Sequence, residues 1–339
     1  MRKRSSSVTI RDVAKQAGVS VATVSRFINR NAPVSVEVAE RVKHVMTELK
    51  YVPHAAARNL ASRKTRVVGL LLNNLHNDFF VPLLNGVEDV VRRNGYNLIV
   101  ATHHADIRNE TPAPVGPHNT DGLLVFSDGL MEEDLVNLHS TGFPMVLVHR
   151  VSPTCTSIPS VTVENIDITK SLIEHLIRAH GRRRIIFMRG PVNQEDSARR
   201  EDGYRAALAK NGIPFDERLV LNGEFERSVS YRALTEFIEN GGGVDFDAVF
   251  TGDDDAAIGV LRSLQDHGFD VPEDVSVVGF DDLGFAQFLN PPLTTVRAPT
   301  EQVGRIATEK LFHLFEEYPS NGVVILPTEI VYRRSCGCN

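Results

Sequence analysis

The apolar positions change rhythm partway along the chain. Near the start they recur at helical spacing in short stretches: Val13, Ala14 and Ala17, then Val24, Phe27 and Ile28, then Val38, Val42, Val45, Met46 and Leu49. This predicts three small amphipathic helices. Thr9-Ile-Arg-Asp12 reads as a capping box before the first helix, Gly18 suits a tight turn, Ser20 caps the second helix, and the third starts at Ser35. Two short helices joined by a turn, with Ala14, Gly18 and Val24 at their contact, describe a helix-turn-helix. From Arg66 onward, short apolar runs alternate with amphipathic stretches. Val67–Leu72, Asn97–Ala101, Gly122–Phe126 and Met145–Val148 read as buried parallel strands, as do Ile185–Met188, Ala248–Phe250 and Val275–Phe280. Helical patterns cover 80–94, 132–141, 167–180, 197–211, 228–240, 254–267 and 301–317. The expected fold is an N-terminal all-α helix-turn-helix headpiece plus an α/β body of two doubly wound parallel-sheet subdomains with a cleft between them. The chain is expected to cross between subdomains near 151–160, again near 282–299, and at the C-terminal end.

Charge sharpens this division. The 339 residues carry 37 Lys and Arg against 43 Asp and Glu, a net of −6. Residues 1–64 hold 13 basic and 4 acidic side chains, and the remainder 24 and 39. A basic head on an acidic body implies that only the head meets a polyanion. On the second predicted helix Val21, Ala22, Ser25, Arg26 and Asn29 face outward. Arg26 can pair with a guanine edge, and Val21 and Ala22 can touch a thymine methyl. The N-terminus has basic residues with no apolar run behind them, and no stretch is long and apolar enough to span a bilayer. The three cysteines, Cys155, Cys336 and Cys338, form no disulfide framework. A cytoplasmic protein is expected.

Several motifs carry a resemblance. Thr9-Ile-Arg-Asp-Val-Ala-Lys-Gln-Ala-Gly-Val-Ser-Val-Ala-Thr-Val-Ser-Arg26, then Asn29, Val34-Ser35, Tyr51-Val-Pro53 and Ala57-Arg-Asn-Leu60 resemble the headpiece of the LacI/GalR family of bacterial transcription regulators. The resemblance implies a helix-turn-helix domain over 1–52, a hinge helix and linker over 53–64, and an effector-binding and dimerisation domain over 65–339. It places Val21, Ala22 and Arg26 at base-reading positions. Thr9, Ser20, Thr23, Ser25, Asn29 and Ser35 fall near the phosphate backbone, where contacts set register. Ala57 belongs to the hinge helix, and Leu60 is its minor-groove wedge. His54 stands where the family usually has Asn. The implied partners are a double-stranded DNA operator, a second copy of the chain in a homodimer, and a small-molecule effector.

Ligands of such sheets bind beyond the carboxyl ends of the strands, where this chain places acids, Arg and Phe. That mixture suits a neutral polyhydroxy compound: carboxylates accept from hydroxyls, Arg donates, and Phe covers an apolar ring face. The body also resembles the family, with its periplasmic-binding-protein-like architecture, through Asn77-Asp-Phe-Phe80, Arg200-x-x-Gly203-Tyr204, Ser276-Val-Val-Gly-Phe-Asp-Asp282 and Pro291-Pro-Leu-Thr-Thr-Val-Arg297. Position by position this implies an effector pocket of Phe79, Phe80, Ser127, Asp167, Asp196, Arg200, Phe225, Asp253 and Asp281. Ile168 and Ser171 depart from the usual Asn and Gly after Asp167. Where relatives have a crossover helix, residues 103–120 hold Pro112, Pro114, Gly116 and Pro117, which limits that span to a loop with at most one helical turn.

Other chemistry finds little support. His103-His104 with Asp106, and Asp253-Asp-Asp255, lack a complete metal-ligand set, and Cys336-Gly-Cys338 reads as a free-thiol tail. No phosphate-cradling loop or nucleophile elbow is present. No metal, cofactor or catalytic residue is expected. A secreted sugar receptor would share the body but would need a leader and no basic head; an enzyme would need one of the missing loops.

Overall fold

A computed structural model describes residues 8–29, 32–51, 64–75, 77–103, 113–240, 245–318 and 322–338. The chain forms two compact units, Met1–Thr65 and Arg66–Asn339.

In the first unit, helices α1 (Ile10–Ala17), α2 (Val21–Asn29) and α3 (Val36–Glu48) enclose Val13, Ala14, Ala17, Val24, Val42 and Val45. The apolar positions at helical spacing become this core, and Phe27, Ile28, Val38, Met46 and Leu49 pack around it. Gly18 ends α1 at φ +63°, and its amide bonds back to the last turn. The capping box read from the sequence forms at the start of α1. The Thr9 backbone N–H and hydroxyl both donate to the Asp12 carboxylate, at 2.8 and 2.7 Å. The donation from the hydroxyl holds Asp12 below the usual carboxylate range.

The second unit contains two six-stranded sheets. The first lobe orders its strands β11-β5-β4-β3-β1-β2, all parallel. Its strands are β1 (Val67–Leu72), β2 (Asn97–Thr102), β3 (Gly122–Phe126), β4 (Met145–Val148), β5 (Ser160–Val163) and β11 (Val323–Leu326). The second lobe orders β12-β10-β9-β8-β6-β7, with only β12 antiparallel. It is built from β6 (Ile185–Arg189), β7 (Val220–Asn222), β8 (Ala248–Thr251), β9 (Ser276–Asp281), β10 (Thr294–Arg297) and β12 (Glu329–Val331). Both lobes repeat one doubly wound order, which brings their strand ends to a shared cleft. Helices α4 (Phe80–Arg93), α5 (Glu132–Ser140) and α10 (Thr300–Phe315) belong to the first lobe. Helices α6 (Ile166–His180), α7 (Glu195–Lys210), α8 (Arg227–Glu239) and α9 (Asp254–Asp266) belong to the second. One apolar cluster runs from Leu70 and Phe126 of the first lobe to Phe187 and Phe280 of the second.

The first crossing is not at 151–160. Strand β5 still pairs with β4 and β11, so the chain leaves the first lobe only at Glu164–Asn165. The Pro- and Cys-containing stretch is tied to that lobe. Ser152 and Thr154 donate to Glu132, and Ile158 is buried beside Leu123 and Leu147. The other crossings fall between β10 and α10 and between β11 and β12. Of the Pro-rich span, 113–120 makes a single turn, with Gly116 O accepting from the Asn119 and Thr120 amides and Val115 buried. Residues 104–112 lie outside the described residues.

Candidate functional site

The headpiece presents α2. Its inner face is occupied by Val24 with Phe27 and Ile28 behind it, which leaves Val21, Ala22 and Arg26 exposed side by side. Ser20 caps the helix, its Oγ accepting from Thr23 N at 3.1 Å and lying 2.9 Å from Thr23 Oγ1. The helix start is therefore rigid and carries the partial positive charge of an N-terminus. Ser35 precedes α3 in extended conformation. The side chain of Asn29, and Ala57 and Leu60, lie outside the described residues.

The body's cleft has a volume of about 1090 Å³. Six non-glycine residues at its strand exits have left-handed backbone: Ser127 (φ +37°) after β3, His149 (+55°) after β4, Glu224 and Phe225 (both +56°) after β7, and Asp281 (+110°) and Asp282 (+54°) at the end of β9. Such conformations cost free energy, and they persist where surrounding structure fixes them. Here they turn Ser127, Glu224, Phe225 and Asp281 into the cleft, while His149 meets Asp196 and Asp282 pairs with Arg297 and Arg333.

Arg200 is the centre of the site and is 3% exposed. Its Nε donates to Asn165 Oδ1 at 2.9 Å, Nη1 donates to the Gly252 carbonyl, and the guanidinium stacks 3.6 Å from the Phe280 ring centre. Asp281 Oδ1 and Asp196 Oδ2 lie 3.7 and 3.9 Å from Nη2. Asp196 accepts from His149 Nδ1 at 2.6 Å and from Asn165 Nδ2 at 2.9 Å. Burial pushes Asp196 up, but the His149 charge and hydrogen bond outweigh it and hold the carboxyl below its ordinary value. For Asp281 burial wins. Arg200 opposes it without a hydrogen bond, and the carboxyl stays well above the usual range. Its buried Oδ1 accepts no hydrogen bond. Burial likewise pushes Asp253 up to about 7.

Phe79, Phe80 and Phe126 meet edge-to-face with ring centres 5.2–5.8 Å apart and form the apolar wall of the first lobe. Phe80 is also core, at 5% exposure. Phe225 forms the opposite wall. A Cβ on Gly190 would lie 2.1 Å from its ring, so that glycine makes the ring's seat.

Eight of the nine pocket residues read from the sequence come together in this cleft: Phe79, Phe80, Ser127, Asp196, Arg200, Phe225, Asp253 and Asp281. Asp167 does not. It lies exposed on the first turn of α6, where its amide and that of Ile168 donate to Glu164, outside the cleft lining. Asp253 has a double role, since Oδ1 caps α9 by accepting from Ala256 N at 2.8 Å. Its Oδ2 accepts from Asn77 Nδ2 across the cleft at 3.1 Å.

Sequence reasoning missed Asn77, Arg150, Asn165 and His149 as site residues. Asn77 was visible inside its motif. Arg150 donates to the Ser127 and Leu130 carbonyls and to Glu132. Burial opposes ionisation of Glu132, but hydrogen bonds from Ser152, Thr154 and Arg150 bring it down to about 2. The Asp253-Asp-Asp255 run is no metal trio. Asp254 accepts from Thr295 Oγ1 and Leu283 N, while Asp255 pairs with Arg227. His103 Nδ1 lies 3.0 Å from the Gly129 carbonyl. Reading Cys336-Gly-Cys338 as a loose thiol tail was incomplete, because α6 brings His175 and His180 to the same two sulfurs.

The lacI family of bacterial regulatory proteins matches residues 9–54, and the periplasmic binding protein-like domain matches 173–336. Catabolite control protein A of Priestia megaterium is 31% identical over 332 residues, covering 97% of this chain and 99% of that protein. The solved transcriptional regulator CelR–cellobiose complex is 31% identical with TM-score 0.72, covering 97% and 99%. A lac repressor dimer bound to operator and an anti-inducer, at 24% identity and TM-score 0.78, shares the fold over 98% of this chain and 99% of its own. Among the described residues no helix is long and apolar enough to cross a membrane.

Proposed function

This chain belongs to the lacI family of bacterial regulatory proteins, and from that premise we propose how it works as a DNA-binding transcriptional repressor controlled by a small molecule. Val21, Ala22 and Arg26 read base edges in the major groove of an operator, with Thr9, Ser20, Thr23, Ser25, Asn29 and Ser35 near the phosphates. A homodimer presents two such helices to a near-palindromic site, and Ala57 and Leu60 act in the minor groove. The protein performs no catalysis.

The effector is a neutral sugar or related polyhydroxy compound held between the lobes. The observation that carries this is the buried Asp281 carboxyl, whose Oδ1 has no hydrogen-bond partner while it faces the cleft beside Arg200. A hydroxyl supplies the missing partner, Arg200 and Asn77 give to further oxygens, and Phe79 and Phe225 cover the ring faces. Even with Asp253 and Asp281 protonated, Glu132, Glu195, Asp196, Glu224 and Asp255 outnumber Arg150, Arg200 and Arg227 in the lining, which disfavours phosphorylated or acidic ligands. Asn77–Asp253 and His149–Asp196 bridge the lobes. An effector that changes these bridges shifts the angle between lobes, and operator affinity follows by linkage.

The test is retardation of a duplex carrying the regulator's own upstream sequence, titrated with a panel of neutral sugars. One sugar is expected to alter retention for the intact chain, and Asp281→Ala is expected to lose that response while keeping operator affinity. Binding indifferent to DNA sequence, or loss of affinity and response together in Asp281→Ala, would overturn the reading.

A further inference from the structure

At the far end of α6 from the cleft, four potential ligand atoms converge. His175 Nε2 lies 3.1 Å from His180 Nε2, 3.8 Å from Cys336 Sγ and 3.4 Å from Cys338 Sγ. Cys338 Sγ lies 3.5 Å from His180 Nε2, and all four atoms are within 4.8 Å of one another. We propose that His175, His180, Cys336 and Cys338 form a structural zinc site.

The distances argue for it directly. A tetrahedral Zn²⁺ with nitrogen at about 2.0–2.1 Å and sulfur at about 2.3 Å needs N···N edges of about 3.3 Å and N···S edges of about 3.5 Å. Four of the six edges, at 3.1, 3.4, 3.5 and 3.8 Å, bracket those values, and the other two are within 4.8 Å. The chemistry agrees. Two imidazole nitrogens and two sulfurs point at one another, and a soft-ligand cation satisfies all four lone pairs together.

The backbone also holds the set in place. His175 lies on the last turns of α6 and His180 is its final residue. The Cys336 turn is pinned to the second sheet, with Ser276 Oγ donating to Cys336 O and Ser335 Oγ to Val277 O. Between the cysteines, Gly337 has φ +107°, and a Cβ there would come within 2.9 Å of His180 Nδ1. Only glycine lets the chain turn so tightly against that ring. His₂Cys₂ with no exchangeable fifth position makes a closed structural site.

The consequence is mechanical. Helix α6 begins just after the first crossing between lobes, and Asn165 at its start holds both Arg200 and Asp196. The cysteine turn follows the third crossing, through β12. Zinc ties these two segments together, fixing the second lobe's side of two of the three connections.

The experiment uses the full chain purified under reducing conditions. Metal content is measured by mass spectrometry, and Co²⁺ is substituted as an optical probe. About one zinc per chain is expected, and the cobalt form is expected to show intense tetrahedral d–d bands with thiolate charge transfer. Cys338→Ser and His180→Gln, both at partly exposed positions, should each lower metal affinity by at least about tenfold. A chelator should lower the thermal midpoint of the unsubstituted chain, and added zinc should restore it. The proposal is overturned if the reduced chain holds only trace zinc and gives no cobalt charge-transfer band. It is equally overturned if neither substitution changes metal content, or if Cys336 and Cys338 are isolated as a disulfide.

Discussion

Arg26 and Arg200 show how one residue type acquires opposite tasks from its surroundings. Arg26 stands exposed beside Val21 and Ala22, free to form two hydrogen bonds with a base edge. Arg200 is buried, stacked on Phe280 and bonded to Asn165 and Gly252, so it cannot leave its place and instead fixes the charge of the cleft. Arg26→Ala is expected to cost about 1–3 kcal/mol of operator discrimination, concentrated at one base pair. Binding to a set of single-base operator variants measures this, and an unchanged ranking would remove Arg26 from the reading face. Its position on an outward helical face was legible in the sequence because α2 has one apolar stripe. The partners of Arg200 were not, since Asn165, Gly252 and Phe280 lie far apart along the chain.

Helices of the body approach more closely than their sequence periodicity suggests. Where α4 meets α10, a Cβ on Gly86 would lie 2.0 Å from Glu301 O, and one on Gly304 would lie 2.4 Å from Leu83 O. Backbone thus packs on backbone, and no side-chain rotation can relieve an added methyl. Gly86→Ala should destabilise the protein by about 1–3 kcal/mol through this overpacking. Denaturant unfolding would register it as a lower midpoint with an unchanged slope, and an unaltered midpoint would mean that the helices slide apart freely. Seven of the twelve described strands were visible as apolar runs, because strands covered on both faces need no alternation. Strand β5, Ser-Val-Thr-Val, was not, and its polar residues hid the true first crossing.

Across the whole molecule, buried carboxylates couple stability to pH. Burial raises Asp253 to about 7 and Asp254 to about 8, and lifts Asp281 well above its ordinary range. The native state therefore keeps protons that the unfolded chain has already released. Stability should fall as pH rises from about 4.5 through about 8, by up to about 1.4 kcal/mol per pH unit for each such group, and level off above that. Asp196 is shifted the other way and matters only near and below its ordinary value. Urea unfolding across the window measures the slope, and Asp254→Asn should flatten it. Stability that rises with pH there would contradict the assignment.

Periodicity, turn residues and charge balance are local properties, so the chain by itself determined the three-helix head, the repeated βαβ body and most strand-end residues of the cleft. Residues brought together from separate strands and helices were decided only by tertiary structure. Asp167 left the pocket because the first turn of α6 faces solvent. Asn165 and His149 joined the site because the lobes close around Asp196. The two cysteines read as a tail until α6 supplied two histidines from some 160 positions earlier. A spacing in sequence specifies which face of an element a side chain occupies, whereas a binding site requires faces from different elements, and only packing determines which of these meet.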